Sequence, residues 1–147
     1  MRQRIYIDTS VVGGYFDDEF KEVTLRLFDR WIRGEVIFVA SDLLELELLN
    51  APKQVRELLP SFADQKLERI EFSQEASQLA DEYIQAGVVG KTSLEDCRHI
   101  ALASINKVDV LASWNFKHIV NLDRIKGLIL SICAWDIQCW KFAVRTT

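Results

Sequence analysis

Proline and methionine are scarce in this 147-residue chain, with two and one respectively, and its three cysteines form no C-x-x-C pair. So few prolines exclude a proline-rich linker and a collagen-like repeat. An odd, small set of cysteines excludes a disulfide-stapled scaffold. Cys97, Cys133 and Cys139 read as reduced thiols, as expected in the cytoplasm. No run of about 18 apolar residues occurs, so no transmembrane helix is expected and a membrane is not among the partners. The opening MRQRIYID has no long apolar stretch before Asp8, so no signal peptide is expected. Basic charge is also short, with 18 Lys and Arg against 22 Asp and Glu, a net charge of −4. A field of that sign does not attract nucleic acid. A nucleic-acid partner would need a local basic patch or a bound cation.

The chain has the 49% hydrophobic and 27% charged composition of an ordinary globular protein. Its length favours one domain over 1–147. Strand-like and helix-like segments alternate. RIYID (Arg4–Asp8), VIFVA (Val36–Ala40), LERIEF (Leu67–Phe72), VDVLAS (Val108–Ser113) and LILSICAW (Leu128–Trp135) are short and apolar. VVGGYFDD follows the first strand, with Gly13 and Gly14 as a loosening point. Phe20, Val23, Leu27, Phe28, Trp31 and Ile32 recur at helical spacing, closed by Gly34. A helix begins at Ser41–Asp42, and another carries Pro52 in its first turn with Val55, Leu58 and Leu59, until Pro60 ends or kinks it. Ser73 caps a helix striped by Ala76, Leu79, Ala80, Tyr83 and Ile84 and stopped at Gly87. GVVGKTS reads as a loop, LEDCRHIALASINK as a helix, and Asn115–Val120 as a helical turn. Five apolar strands between helices imply an α/β fold with a mostly parallel sheet. In such sheets ligands sit beyond the carboxyl ends of the strands, near the switch in strand order.

The residues at those ends are Asp8-Thr9-Ser10 and Ser113-Trp114-Asn115, joined by acids in two helices. Gathered carboxylates repel one another, and a hard cation such as Mg²⁺ or Mn²⁺ relieves them. Each acid has a structural alternative. Asp8 suits a cap on the following turn. Glu45 and Glu47 lie roughly 200° apart on a helix, so they cannot share a face. Asp42 with Glu45 makes a capping box, which accounts for Glu45. Glu47, set among five leucines, has no such explanation. Thr92 with Glu95 makes a second capping box and leaves Asp96 free, although Ser93 with Asp96 is a rival pairing. Asn115 suits a helix cap or a neutral oxygen ligand.

Other motifs fall away. GVVGKT has two residues between its glycines where a phosphate-binding loop needs four, and it follows a helix. His99 and His118 have no zinc spacing with the cysteines. Ser10 lacks a G-x-S-x-G elbow. The four tryptophans read as packing, with only Trp114 near the proposed site mouth.

Three blocks, YIDTSVV, SDLLELELLNAP and SLEDCRHIALASINKVDVLASWNFKHIVN, resemble the PIN-domain family of metal-dependent ribonucleases, in the branch of the VapC-type toxins. The resemblance implies a three-layer α/β/α sandwich around a mostly parallel sheet of about five strands. It implies a catalytic set of Asp8, Glu47 and Asp96 around Mg²⁺ or Mn²⁺. The fourth position falls at Asn115, where many members carry Asp. Thr9 and Ser10 match hydroxyl positions beside the first acid, and His99 supports the site. Lys91, Arg98, Lys117 and His118 are the nearest cations for substrate phosphate. The implied reaction is hydrolysis of RNA by metal-activated water. Implied partners are RNA, a small antitoxin and a second copy of the chain, whose apolar interface the aromatic-rich helix from Phe20 to Ile32 would supply unless it packs on its own sheet. Asn115 supports an alternative, a catalytically weakened or inactive PIN-like module that binds RNA or protein. A phosphatase with Asp8 as nucleophile fits less well, because Ser10 stands where its second acid belongs.

Overall fold

The computed structural model describes residues 2–86, 94–114 and 130–131. Strand β1 (Gln3–Ile7) is central. It leads through helices α1 (Thr9–Gly14) and α2 (Lys21–Ile32) to β2 (Val36–Ser41). Helices α3 (Asp42–Leu48), α4 (Lys53–Arg56) and α5 (Leu58–Ser61) precede β3 (Leu67–Ile70). Helices α6 (Gln74–Ala86) and α7 (Leu94–Ile105) precede β4 (Val110–Ala112), and a two-residue pairing at Leu130–Ser131, β5, closes the edge. The order is β3-β2-β1-β4-β5, with every pair parallel. Four of these are strands of three to six residues; of the strand expected over 128–135, only Leu130–Ser131 falls among the described residues.

Alternation along the strands builds the three layers, because successive side chains point to opposite faces. Ile5, Ile7, Phe38, Ala40, Val110 and Ala112 join one core with Val11, Val12, Leu27, Phe28 and Trp31 of α1 and α2. Tyr6, Val39 and Leu111 join a second core with Ala76, Ala80 and Tyr83 of α6 and Ile100–Ala103 of α7. The aromatic face of α2 is therefore used inside the fold. Phe28 meets Phe38 edge to face at 5.2 Å and Trp31 stacks on Phe38 at 4.7 Å. Ile32 and Ile84, expected on the buried stripes, are 45% and 41% exposed.

Local chemistry explains the other departures. Gly13 and Gly14 lie inside α1. A Cβ on Gly14 would come within 2.7 Å of the Thr24 hydroxyl and the Trp114 indole nitrogen. Gly14 is thus a close-approach residue, not a loosening point. Gly34 takes φ +77 and closes α2, with its N–H bonded to Trp31 O at 3.0 Å and the Glu35 N–H to Arg30 O at 2.9 Å. Pro52 is the N-cap of α4 rather than a first-turn residue. The single helix expected through Val55–Leu59 splits in two, because Pro60 has no N–H to return to Arg56. Ser41, not Asp42, caps α3, accepting from Leu44 N at 3.1 Å; Asp42 instead accepts from Phe72 N at 2.8 Å.

Candidate functional site

The strand order reverses direction at β1, between β2 on one side and β4 on the other. The first residue beyond β1 is Asp8, only 2% exposed. Its carboxylate caps α1, accepting from Val11 N at 3.1 Å and from the Ser10 hydroxyl at 2.6 Å. Ser10 Oγ in turn accepts from Trp114 N at 2.9 Å, which ties the end of β1 to the end of β4. Asp8 therefore caps a helix and also stands at the switch point. Burial lifts its pKa above the ordinary carboxylate value, more than the charge of His99 and the bonds from Ser10, Ser113 and Val11 lower it.

Glu47 reaches this place from α3. Its Oε1 accepts from the Thr9 hydroxyl and lies 2.8 Å from Nε2 of His99. Burial alone would raise Glu47. The His99 bond and charge, with bonds to Thr9 and Glu95, outweigh it and hold the carboxyl below its usual value. Glu45, on another face of the same helix, pairs with Arg69 in solvent. Its expected capping partner Asp42 is engaged elsewhere.

His99, on α7, is the hub. The ring is 2% exposed, with Nδ1 2.5 Å from the Tyr6 hydroxyl. Burial disfavours its charge, but the Glu47 bond and the charges of Asp8, Glu47 and Asp96 carry its pKa above the ordinary value. Thus all three acids act on one imidazole. Asp96, half-buried one turn before His99, also adds to burial in pushing the Cys97 thiol up to about 11, which removes that thiol as a nucleophile near neutral pH. Glu95 pairs with Arg98 at 3.0 Å, and the Arg98 guanidinium lies 5.8 Å from the Phe72 ring centroid. Lys91, Asn115, Lys117, His118, and the proposed cap Thr92, lie outside the described residues. Trp114 is packing, stacked on Phe20 at 6.4 Å with its N–H on the Thr24 hydroxyl at 2.9 Å.

No family model and no curated protein matches the chain. Solved structures do. A VapBC2 complex from Rickettsia felis bound to promoter DNA superposes with a TM-score of 0.61 at 19% identity, covering 91% of this chain and 100% of that one. A toxin–antitoxin complex from Klebsiella pneumoniae gives 0.60 at 18% identity over 85% and 95% of the two chains. VapC20 of Mycobacterium tuberculosis, a sarcin–ricin-loop-cleaving toxin, gives 0.57 at 16% identity over 76% and 92%. This chain has a VapC-like PIN fold.

On that fold the donor types at the switch point suit a hard divalent cation: three carboxylates and two hydroxyls, one acid buried with its ionised form disfavoured. In arrangement, Glu47 is turned onto Thr9 and His99. Among the described residues no three His, Cys, Asp or Glu donors close on one point. Sequence reasoning missed Tyr6 and Ser41 as members of this cluster. The signal available was the tyrosine itself, a hydroxyl in an otherwise aliphatic buried strand that must find a partner.

Proposed function

We propose that this chain is a divalent-metal-dependent endoribonuclease, the toxin of a toxin–antitoxin pair. The observation that carries the reading is the buried Asp8 carboxylate at the switch point of a VapC-like PIN fold, with Glu47 bonded to the neighbouring Thr9 hydroxyl and to buried His99. A cation would favour the ionised form of the buried Asp8 beside the partly buried Glu47 and Asp96. Asp8, Asp96 and Glu47 would hold Mg²⁺ or Mn²⁺. The ion would supply an activated water and neutralise charge on the phosphodiester. Ser10 keeps Asp8 in place, and Thr9 and His99 set the direction of the Glu47 carboxylate. Arg98, whose Nε is buried without a partner among the described residues, can turn toward a phosphate. Lys91, Lys117 and His118 are proposed as further phosphate contacts, and Asn115 as the neutral fourth member of the set. A small antitoxin partner follows from the complexes named above. A homodimer would need a surface other than the aromatic face of α2, which is buried.

The test is cleavage of single-stranded RNA by purified protein with Mg²⁺ or Mn²⁺. Activity should stop with EDTA and be lost in Asp8→Ala and Asp96→Ala. A second reading has its own support: Glu47 is already bonded to Thr9 and His99, as in a PIN-like module that binds without cutting. RNA binding with no cleavage under any divalent metal would establish that reading instead.

A further inference from the structure

The buried hydrogen bonds around His99 form a chain with one permitted direction. At one end Leu44 N–H, a fixed donor, points to Ser41 Oγ at 3.1 Å. Ser41 Oγ lies 2.7 Å from the Tyr6 hydroxyl, which lies 2.5 Å from His99 Nδ1. His99 Nε2 lies 2.8 Å from the Glu47 carboxylate, which when ionised only accepts. Nε2 must therefore carry the proton in the neutral ring, and Nδ1 must accept. Tyr6 then donates to Nδ1, and Ser41 donates to the Tyr6 oxygen while accepting from Leu44. Every donor finds an acceptor. The opposite direction leaves the Ser41 hydroxyl proton with no acceptor among the described residues, and Tyr6 and Ser41 are fully buried where water does not compete. Both ends of the chain belong to α3, since Ser41 caps that helix and Glu47 lies within it.

We propose that Tyr6 and His99 are positioning residues for Glu47: the one-way chain from the α3 cap locks the His99 ring as its Nε2–H form and so fixes the direction of the Glu47 carboxylate at the site. This rests on the nuclease reading for its catalytic meaning. A merely structural role would require only that the Tyr6 hydroxyl be satisfied, and would leave the function of Glu47 indifferent to it.

Two measurements test this. The first leaves Tyr6, Ser41, Glu47 and His99 unchanged. Ring-nitrogen NMR of the metal-free protein, under conditions where His99 is neutral and with His118→Asn to assign the signals, should show the Nε2–H tautomer alone. An Nδ1–H ring or a tautomer mixture would overturn the proposal. The second uses Tyr6→Phe, which keeps the ring and removes only the hydroxyl. With its fold verified by circular dichroism, the variant should give a tautomer mixture. Mn²⁺ affinity followed by electron paramagnetic resonance, and kcat on RNA, should fall roughly 10–100-fold, with KM for RNA little changed. A Tyr6→Phe protein with wild-type affinity and kcat overturns the positioning role while leaving the nuclease reading intact. A wild-type protein that cuts no RNA with Mn²⁺ overturns the nuclease reading and the catalytic meaning of the relay with it.

Discussion

Asp8→Asn removes one buried negative charge and preserves shape, so it separates the folding role of Asp8 from the proposed metal role. Asparagine is as good an N-cap as aspartate. Val11 N–H and the Ser10 hydroxyl therefore keep their acceptor. In the metal-free protein the charge is a net cost, because burial raises the Asp8 pKa more than His99 and the hydrogen bonds lower it. A group raised on folding contributes stability below its unfolded pKa and loses it as pH rises through the folded value. Near neutral pH the ionised Asp8 therefore destabilises. Asn is expected to add about 1 kcal/mol, or about 2–4 °C in Tm for a chain of this size. That gain should fade on acidification as wild-type Asp8 takes up its proton. A bound divalent ion inverts the comparison. At a free ion concentration 100-fold above Kd, a ligand of the folded state adds about 2.7 kcal/mol, or roughly 5–11 °C, and Asp8→Asn should forgo most of it. Differential scanning calorimetry of both proteins in EDTA and in saturating Mn²⁺ should show the order of melting reversed between the two conditions. A variant that melts lower than wild type in EDTA, or an equal Mn²⁺ response in both, would refute the reasoning.

Further outcomes follow from the same geometry. Gly14→Ala should destabilise by about 2–4 kcal/mol, from overpacking and from displacing the Trp114–Thr24 hydrogen bond, read as a shift in the urea midpoint. An unchanged midpoint would mean the approach of Trp114 is not tight. In EDTA, stability should peak at mildly acidic pH. The His99 contribution is present below its ordinary pKa and lost as pH rises through the raised one; the Glu47 contribution is present above its ordinary pKa and lost as pH falls through the lowered one. Glu47→Gln should remove roughly 1–3 kcal/mol of this and flatten the alkaline fall, whereas an unaltered profile would show that the pair contributes nothing. Glu45→Gln, two residues away but paired with Arg69 in solvent, should change stability by under about 1 kcal/mol and leave Mn²⁺ affinity and RNA cleavage unchanged. Loss of cleavage in Glu45→Gln would reverse the assignment of the two glutamates.

Particular residues show what the sequence could reveal. Asp8 was legible because a carboxylate that ends an apolar strand lies where parallel sheets place their ligands. Glu47 was legible because a glutamate among leucines needs a reason, and the helical angle between it and Glu45 forbade treating them as a pair. The layers were legible because the apolar strands alternate with helices. The relay through Tyr6, Ser41 and His99 was not legible. It joins three segments whose contact depends on the β1–β2 register and on how α7 packs against that face, and neither is encoded in local spacing. Gly14 misled for a related reason: local rules read a glycine pair as a break, while the tertiary approach of Trp114 requires a helix without a side chain. The helix split at Glu57 follows from the missing N–H of Pro60, but the choice of Ser41 over Asp42 as cap was settled by Phe72, thirty residues on, whose N–H occupies the Asp42 carboxylate.

Anomalous diffraction from a Mn²⁺-soaked crystal is the decisive measurement of whether Asp8, Glu47 and Asp96 form the proposed divalent-cation site. A single strong peak bonded to oxygens of Asp8 and Asp96 is expected, with Glu47 bound to it directly or through water. No peak at that place, or Mn²⁺ held only elsewhere on the protein while His99 and Thr9 keep Glu47, would contradict it.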